Sequence, residues 1–181
     1  LVRGPGNTVA ALFKQQEYFE RIDEAGNILV PAIRLPTLNP SVEPTALGET
    51  GWPSFYGPEL AYNGTVFGVA RTGKSTGSAF FYTVNVSGQL VHGPLTIPSS
   101  YNDPGYTRGP ALVCGQNAWY LAWNSRKGTD KHRLQLARIT ADGALDITWG
   151  DNGVFVVVNT GYPRTPEMAI DDGGVAAIVH G

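Results

Sequence analysis

The sequence predicts an all-β protein, and three observations lead to this fold class. Charged residues make up only 15% of the 181 residues, whereas glycine (23) and proline (13) are enriched, which is typical of short strands joined by tight turns. No segment carries an apolar stripe at the helical period, and residues 12–20, the best helical candidate, fit two strands and a turn better. The third observation is an internal repeat of about 55 residues.

The repeat begins with a proline, which is followed by a short apolar strand, a polar turn and a second apolar strand. The three segments with this pattern are 58–70, 110–123 and 166–179. Their prolines lie 52 and 56 residues apart. A third strand ends at a glycine turn in each of three places, Gly26, Gly88 and Gly143. Glycine suits a hairpin turn that needs a positive φ.

A fourth apolar strand follows each glycine turn, at 28–35, 90–97 and 153–158. Four short strands at this period are the pattern of one β-propeller blade. The sequence therefore predicts a single repeat domain over 1–181, with about three four-stranded blades plus part of another. The expected units are 1–57, 58–109, 110–165 and 166–181, the last one partial. A β-sandwich of similar strand count is the alternative.

The run 136–154, LARITADGALDITWGDNGV, carries a family resemblance. It resembles the delta-60-type repeat of bacterial secreted and surface proteins, in which a strand ending in Ala-Arg leads to Asp-Gly, Leu-Asp, an aromatic residue and Gly-x-x-Gly-Val. The other two repeats keep only the strand and its turn glycine. The resemblance implies a propeller-like repeat in an exported bacterial protein, outside the cell or on its surface, and it implies no activity.

Charge and hydropathy exclude several classes of function. The net charge is −2 and no basic run is longer than Arg126-Lys127, so the sequence predicts no nucleic-acid binding. No apolar run is longer than six residues, too few to span a bilayer. Cys114 is the only cysteine, which excludes an intrachain disulfide. Residues 7–13 match the second strand of a unit, so we expect the chain to begin inside a blade and to be a fragment or a processed protein.

One motif in the sequence is a decoy. Residues 68–75 read GVARTGKS and satisfy the phosphate-binding-loop pattern, which requires a helix after the loop. The following run, 79–86, is aromatic and β-branched, so we expect a hairpin turn here and no bound nucleotide. Residues 140–149 have the wrong spacing for a sialidase-type Asp-box.

The sequence predicts no cofactor and no catalytic constellation. The three histidines and Cys114 are scattered along the chain, so no metal site is expected. Asp-Gly turns near Asp142, Asp151 and Asp171 keep calcium as an alternative, but turn chemistry explains them without a metal.

A glycine and an aromatic residue precede the first strand of each unit. The candidate ligand-binding residues in these segments are Trp52, Tyr106, Arg108, Tyr162 and Arg164. An aromatic ring beside an arginine can stack on a sugar and hold a carboxylate or hydroxyl. Packing between blades is the competing interpretation, because the pattern recurs in every repeat.

These observations favour a non-enzymatic, lectin-like binding or scaffold module that recognises a glycan or protein partner through its loops. One alternative is a fragment of a propeller enzyme acting on glycans, which a central pair of carboxylates would favour. Another is a purely structural assembly subunit. Because known propeller rings have about four to eight blades, we expect either self-association or the remainder of a longer propeller to complete the ring.

Overall fold

The computed structural model describes residues 1–13, 18–35, 59–72, 77–99, 108–127, 131–160, 165–171 and 176–179. Within these ranges the chain forms fourteen β-strands and no helix, which confirms the all-β prediction. The strands are β1 (Val2–Arg3), β2 (Val9–Phe13), β3 (Tyr18–Ile22), β4 (Ile28–Arg34), β5 (Glu59–Tyr62), β6 (Phe67–Thr72), β7 (Ala79–Val84), β8 (Leu90–Ile97), β9 (Arg108–Cys114), β10 (Ala118–Lys127), β11 (Lys131–Thr140), β12 (Val154–Thr160), β13 (Glu167–Ile170) and β14 (Ala176–Val179).

The strands form antiparallel sheets in which each strand pairs with its neighbours in sequence. Sheet 1 contains β1 to β4, sheet 2 contains β5 to β8, sheet 3 contains β9 to β12, and sheet 4 contains β13 and β14. The sequence analysis missed β1, the two-residue strand that pairs with β2 through Val2 and Ala10. Sheet 1 therefore has four strands in the same order as sheets 2 and 3.

Consecutive sheets pack face to face through apolar clusters. One cluster joins sheet 1 to sheet 2, a second joins sheet 2 to sheet 3, and a third joins sheet 3 to sheet 4. All six residues of β7 are buried. Its side chains alternate between the two clusters, with Phe80 and Tyr82 facing sheet 1 and Phe81 facing sheet 3. Sheet 2 is therefore covered on both faces, as the two-residue period of a strand requires.

A large aromatic side chain from sheet 2 and another from sheet 3 each insert against a glycine of the preceding sheet. Phe67 of β6 approaches Gly4, where an added Cβ would lie 3.0 Å from its ring. Trp119 of β10 lies against Gly68, where an added Cβ would lie 2.6 Å from the indole. Both aromatic residues are fully buried. Glycine is needed at Gly68 because any side chain there would overlap the indole.

The predicted glycine turns have the same backbone geometry in three sheets. Gly26, Gly88 and Gly143 have φ values of +84°, +79° and +84°. In each turn the glycine N–H donates to the carbonyl three residues earlier, at Asp23, Asn85 and Thr140 respectively. This confirms the predicted hairpins, because positive φ is costly for residues with a side chain. The predicted fourth strands are confirmed as β4, β8 and β12.

The phosphate-binding-loop pattern lies in a hairpin. Strand β6 continues through Gly68 to Thr72, and Thr72 pairs with Ala79 at the start of β7. Residues 73–76, which include the lysine and serine of the pattern, lie outside the described residues. Only six residues separate the two paired strands, so a strand stands where the phosphate-binding-loop pattern requires a helix.

The run that resembles the delta-60 repeat forms a compact excursion between β11 and β12. Leu145 makes an isolated bridge with Ile139 and packs on Gly153, where an added Cβ would lie 2.5 Å from the leucine side chain. Asp146 accepts hydrogen bonds from the N–H and hydroxyl of Thr148 and lies 3.4 Å from the Arg138 guanidinium. These residues of the motif therefore have clear structural roles.

Candidate functional site

The sheets have two distinct ends. At the turn end lie the turns between first and second strands and between third and fourth strands. At the loop end the first strands begin and the second strands finish. Contacts between sheets align these ends, since Trp123 near the end of β10 donates from Nε1 to the carbonyl of Gly77, just before β7, at 3.1 Å.

The first strands of consecutive sheets contact one another. Strand β9 contacts both β5 and β13, and β1 contacts β5. The strands of sheets 2, 3 and 4 begin at Glu59, Arg108 and Glu167, at the loop end.

Glu59 and Glu167 each open a first strand at the loop end; both residues have solvent-exposed surface, and the carboxyl group of Glu59 is partly covered by protein atoms. Burial by surrounding protein atoms raises the pKa of Glu59, the N-terminal amine lowers it, and the negative charge of Glu167 raises it further. The two carboxylates belong to different sheets, and the charge of Glu167 is the smallest of these three contributions. A carboxyl group with a raised pKa is suited to proton transfer.

The sequence analysis aligned these glutamates without recognising them as site residues. Glu59 follows Pro58 and Glu167 follows Pro166, and the same position of the intervening repeat is Ala111. The signal was available, because a repeat places corresponding residues at corresponding places in neighbouring sheets. Only the structure shows that the first strands of different sheets, which these glutamates open, contact one another through β9.

Most of the predicted ligand-binding residues precede these strand starts. Trp52, Tyr106, Tyr162 and Arg164 lie outside the described residues. Arg108 opens β9, and its backbone pairs with Asn124 of β10. The structure therefore locates the strand that follows each predicted segment, and the ligand-facing role of the aromatic and arginine side chains stays a prediction.

A group of buried polar side chains lies beside the start of β9. Asn124, Ser125 and Gln135 are fully buried. Gln135 Nε2 donates to the hydroxyl of Ser125 at 2.6 Å and to the hydroxyl of Ser99 at 3.1 Å. Ser99 follows β8 and precedes the segment that carries Tyr106. The glutamine therefore anchors the start of a predicted binding loop to the centre of sheet 3.

Sequence reasoning missed this group as well. Gln135 stands between Leu134 and Leu136, and Asn124 and Ser125 follow an apolar run that ends at Trp123. A polar residue inside such a run is an available signal, because buried polar groups require partners. The partner Ser99 lies 36 positions away, so the sequence alone could not identify it.

Polar groups at the turn end are engaged in their own turns. The pKa of Asp23 is lowered chiefly by hydrogen bonds from Asn27, and that of Asp142 chiefly by the hydroxyl of Thr140. Hydrogen bonds from Thr148 similarly lower the pKa of Asp146. These carboxylates serve turn geometry. In the described part of the chain, no three His, Cys, Asp or Glu residues come together as a metal site would need.

Cys114 lies at the turn end of β9 and is half-buried. Burial raises the pKa of its thiol to about 11. The thiol is therefore protonated at neutral pH, which makes it a poor nucleophile.

Comparison with known proteins gives no significant match to a family model, a curated protein or a solved structure. Among the described residues, no helix has the length and apolar character to cross a membrane.

Proposed function

We propose that the chain is a propeller-like module of an exported protein and that it binds a glycan or protein partner through the segments at its loop end. The observation that carries this proposal is the contact between first strands that begin at that end. Trp52, Tyr106 and Tyr162 each precede one of these neighbouring strands. Aromatic rings delivered to one region can form the stacking platforms that carbohydrates bind.

The packing of the sheets supports a propeller-like arrangement over a two-layer sandwich. Sheet 2 has apolar clusters on both faces, whereas a sandwich covers each sheet on one face only. The succession of sheets 1 to 4 in chain order, with their first strands in contact, is what radial repetition produces. The resemblance of 136–154 to the delta-60 repeat supports an exported, bacterial setting.

A glycan array tests the binding proposal. We expect the wild-type protein to bind a related set of glycans, and we expect the double variant Tyr106→Ala with Arg108→Ala to lose at least tenfold in affinity. The matched control is Glu24→Ala with Asn117→Ala, because both residues are exposed in turns at the opposite end. Equal binding by the two double variants, or a negative array together with no captured protein partner, would overturn the proposal.

The raised pKa of Glu59 favours a second candidate, an enzyme fragment acting on glycans. Glu59 would act as the general acid, as one carboxyl group does in glycoside hydrolysis. Mass spectrometry of bound oligosaccharides distinguishes the two functions. A binding module returns them intact. An enzyme releases shorter products, and Glu59→Gln reduces that release by at least a hundredfold.

A further inference from the structure

The last strands of the three complete sheets offer a surface for association. Strands β4, β8 and β12 each pair on one side only, with β3, β7 and β11 respectively. Within the described ranges, no strand pairs with their other edge. Such an edge presents unpaired backbone donors and acceptors, so proteins generally protect it from other chains.

Two of these three edges are protected by proline. Pro31 lies within β4 and Pro94 lies within β8. Proline has no N–H to donate, and it restricts pairing along an edge. Both strands also carry two register shifts against their partners, which twist an edge away from further pairing. Strand β12, with the sequence VFVVVNT, has no proline and one register shift.

Strands β4 and β8 each expose two consecutive apolar residues at their starts, Ile28-Leu29 and Leu90-Val91, and β12 differs from both at one matched position. At this position the third strands carry Tyr18, Phe80 and Gln135. Their partners in the fourth strands are Arg34 in β4, Thr96 in β8 and Val156 in β12. The chain therefore replaces a polar residue by valine in sheet 3 alone. Phe155, Val156 and Val157 are 52%, 37% and 37% exposed. Val154 exchanges both backbone hydrogen bonds with Asp151, so the edge that no described strand pairs with begins at Phe155. Three consecutive exposed apolar residues there favour pairing with another strand.

We propose that β12 pairs antiparallel with β12 of a second copy of this chain, which joins the two outer edges into one continuous sheet. The strand contains no charged residue, so pairing with itself brings no like charges together. A two-fold axis makes the contact self-complementary. Because the other two outer strands carry proline, the association ends at a dimer and does not continue into a filament.

The test measures the mass of the purified protein by light scattering over a concentration series. We expect wild type to have about twice the chain mass of 19.3 kDa. Val156→Arg and Val156→Thr place in β12 the residues that β4 and β8 already tolerate there, so both variants should fold. We expect Val156→Arg to be monomeric and Val156→Thr to weaken the dimer at least tenfold.

Thr96→Arg is the matched control, because it makes the same kind of change at the same register position of β8. Its mass should equal that of wild type. A monomeric wild-type protein, species larger than a dimer, or dimers that persist in a folded Val156→Arg variant would each overturn the proposal.

Discussion

The two ends of the sheets use polar residues in opposite ways. At the turn end, Asp23 and Asp142 bond within their own turns, and hydrogen bonds lower the pKa of each carboxyl group. At the loop end, burial raises the pKa of Glu59, and the negative charge of Glu167 in another sheet raises it further. The turn end stabilises each hairpin locally, whereas the loop end collects groups from several sheets.

Trp119→Ala should produce the largest loss of stability. Trp119 lies at the turn end of β10, and its indole fills the space over Gly68. The indole is fully buried, so we expect a loss of about 3–5 kcal/mol in the free energy of unfolding. Urea denaturation measures the loss. Trp149→Ala, at a half-buried tryptophan, should cost less. Equal costs would contradict the interlock between sheets 2 and 3.

Gly143→Ala and Gly26→Ala compare two turns with the same φ of +84°. Each substitution pays about 1–2 kcal/mol for a left-handed residue with a side chain. At Gly143 the new Cβ would also lie 2.8 Å from the Cβ of His92 in sheet 2, whereas nothing lies within 4 Å of it at Gly26. We expect Gly143→Ala to cost about 1–3 kcal/mol more in thermal or chemical denaturation. Equal losses would show that the turn does not press on the preceding sheet.

Gln135→Ala tests the buried polar group at the loop end. The substitution removes the donor to Ser99 and Ser125, so we expect a loss of about 1–3 kcal/mol. It should also increase hydrogen exchange in the segment that follows Ser99. Gln89→Ala is the control, because Gln89 is exposed in a turn and bonds to Asn85; its cost should be about 0.5 kcal/mol or less. A similar loss at both positions would contradict the anchoring role.

Glu59→Gln should have the smallest effect on stability, and the size of that effect depends on pH. The pKa of Glu59 is higher in the folded protein than its ordinary value in the unfolded chain. The free energy of unfolding therefore falls as the pH rises from the unfolded pKa to the folded pKa, because the folded state resists ionisation of this carboxyl. The variant should therefore equal wild type at acidic pH and be more stable by about 0.5 kcal/mol or less at neutral pH. Denaturation at the two pH values measures this difference. A variant less stable than wild type at neutral pH would contradict it.

Much of the fold could be predicted from local sequence. Glycine at 26, 88 and 143 specifies the hairpins, since other residues resist positive φ, and β-branched runs specify the outer strands. The two-residue β1 was missed because so short a segment carries no periodicity. The Gln135 to Ser99 contact and the contacts between first strands of different sheets depend on how the sheets stack, which no local pattern encodes.

The binding site proposed at the loop end depends on the contact between first strands of different sheets. NMR titration of the Glu59 carboxyl in wild type and in Glu167→Gln tests this most directly. We expect the pKa of Glu59 to be lower in Glu167→Gln than in wild type, because the substitution removes a negative charge that raises it. Asp142→Asn, at the turn end, should leave it unchanged. An unaltered pKa of Glu59 in Glu167→Gln would contradict the claim.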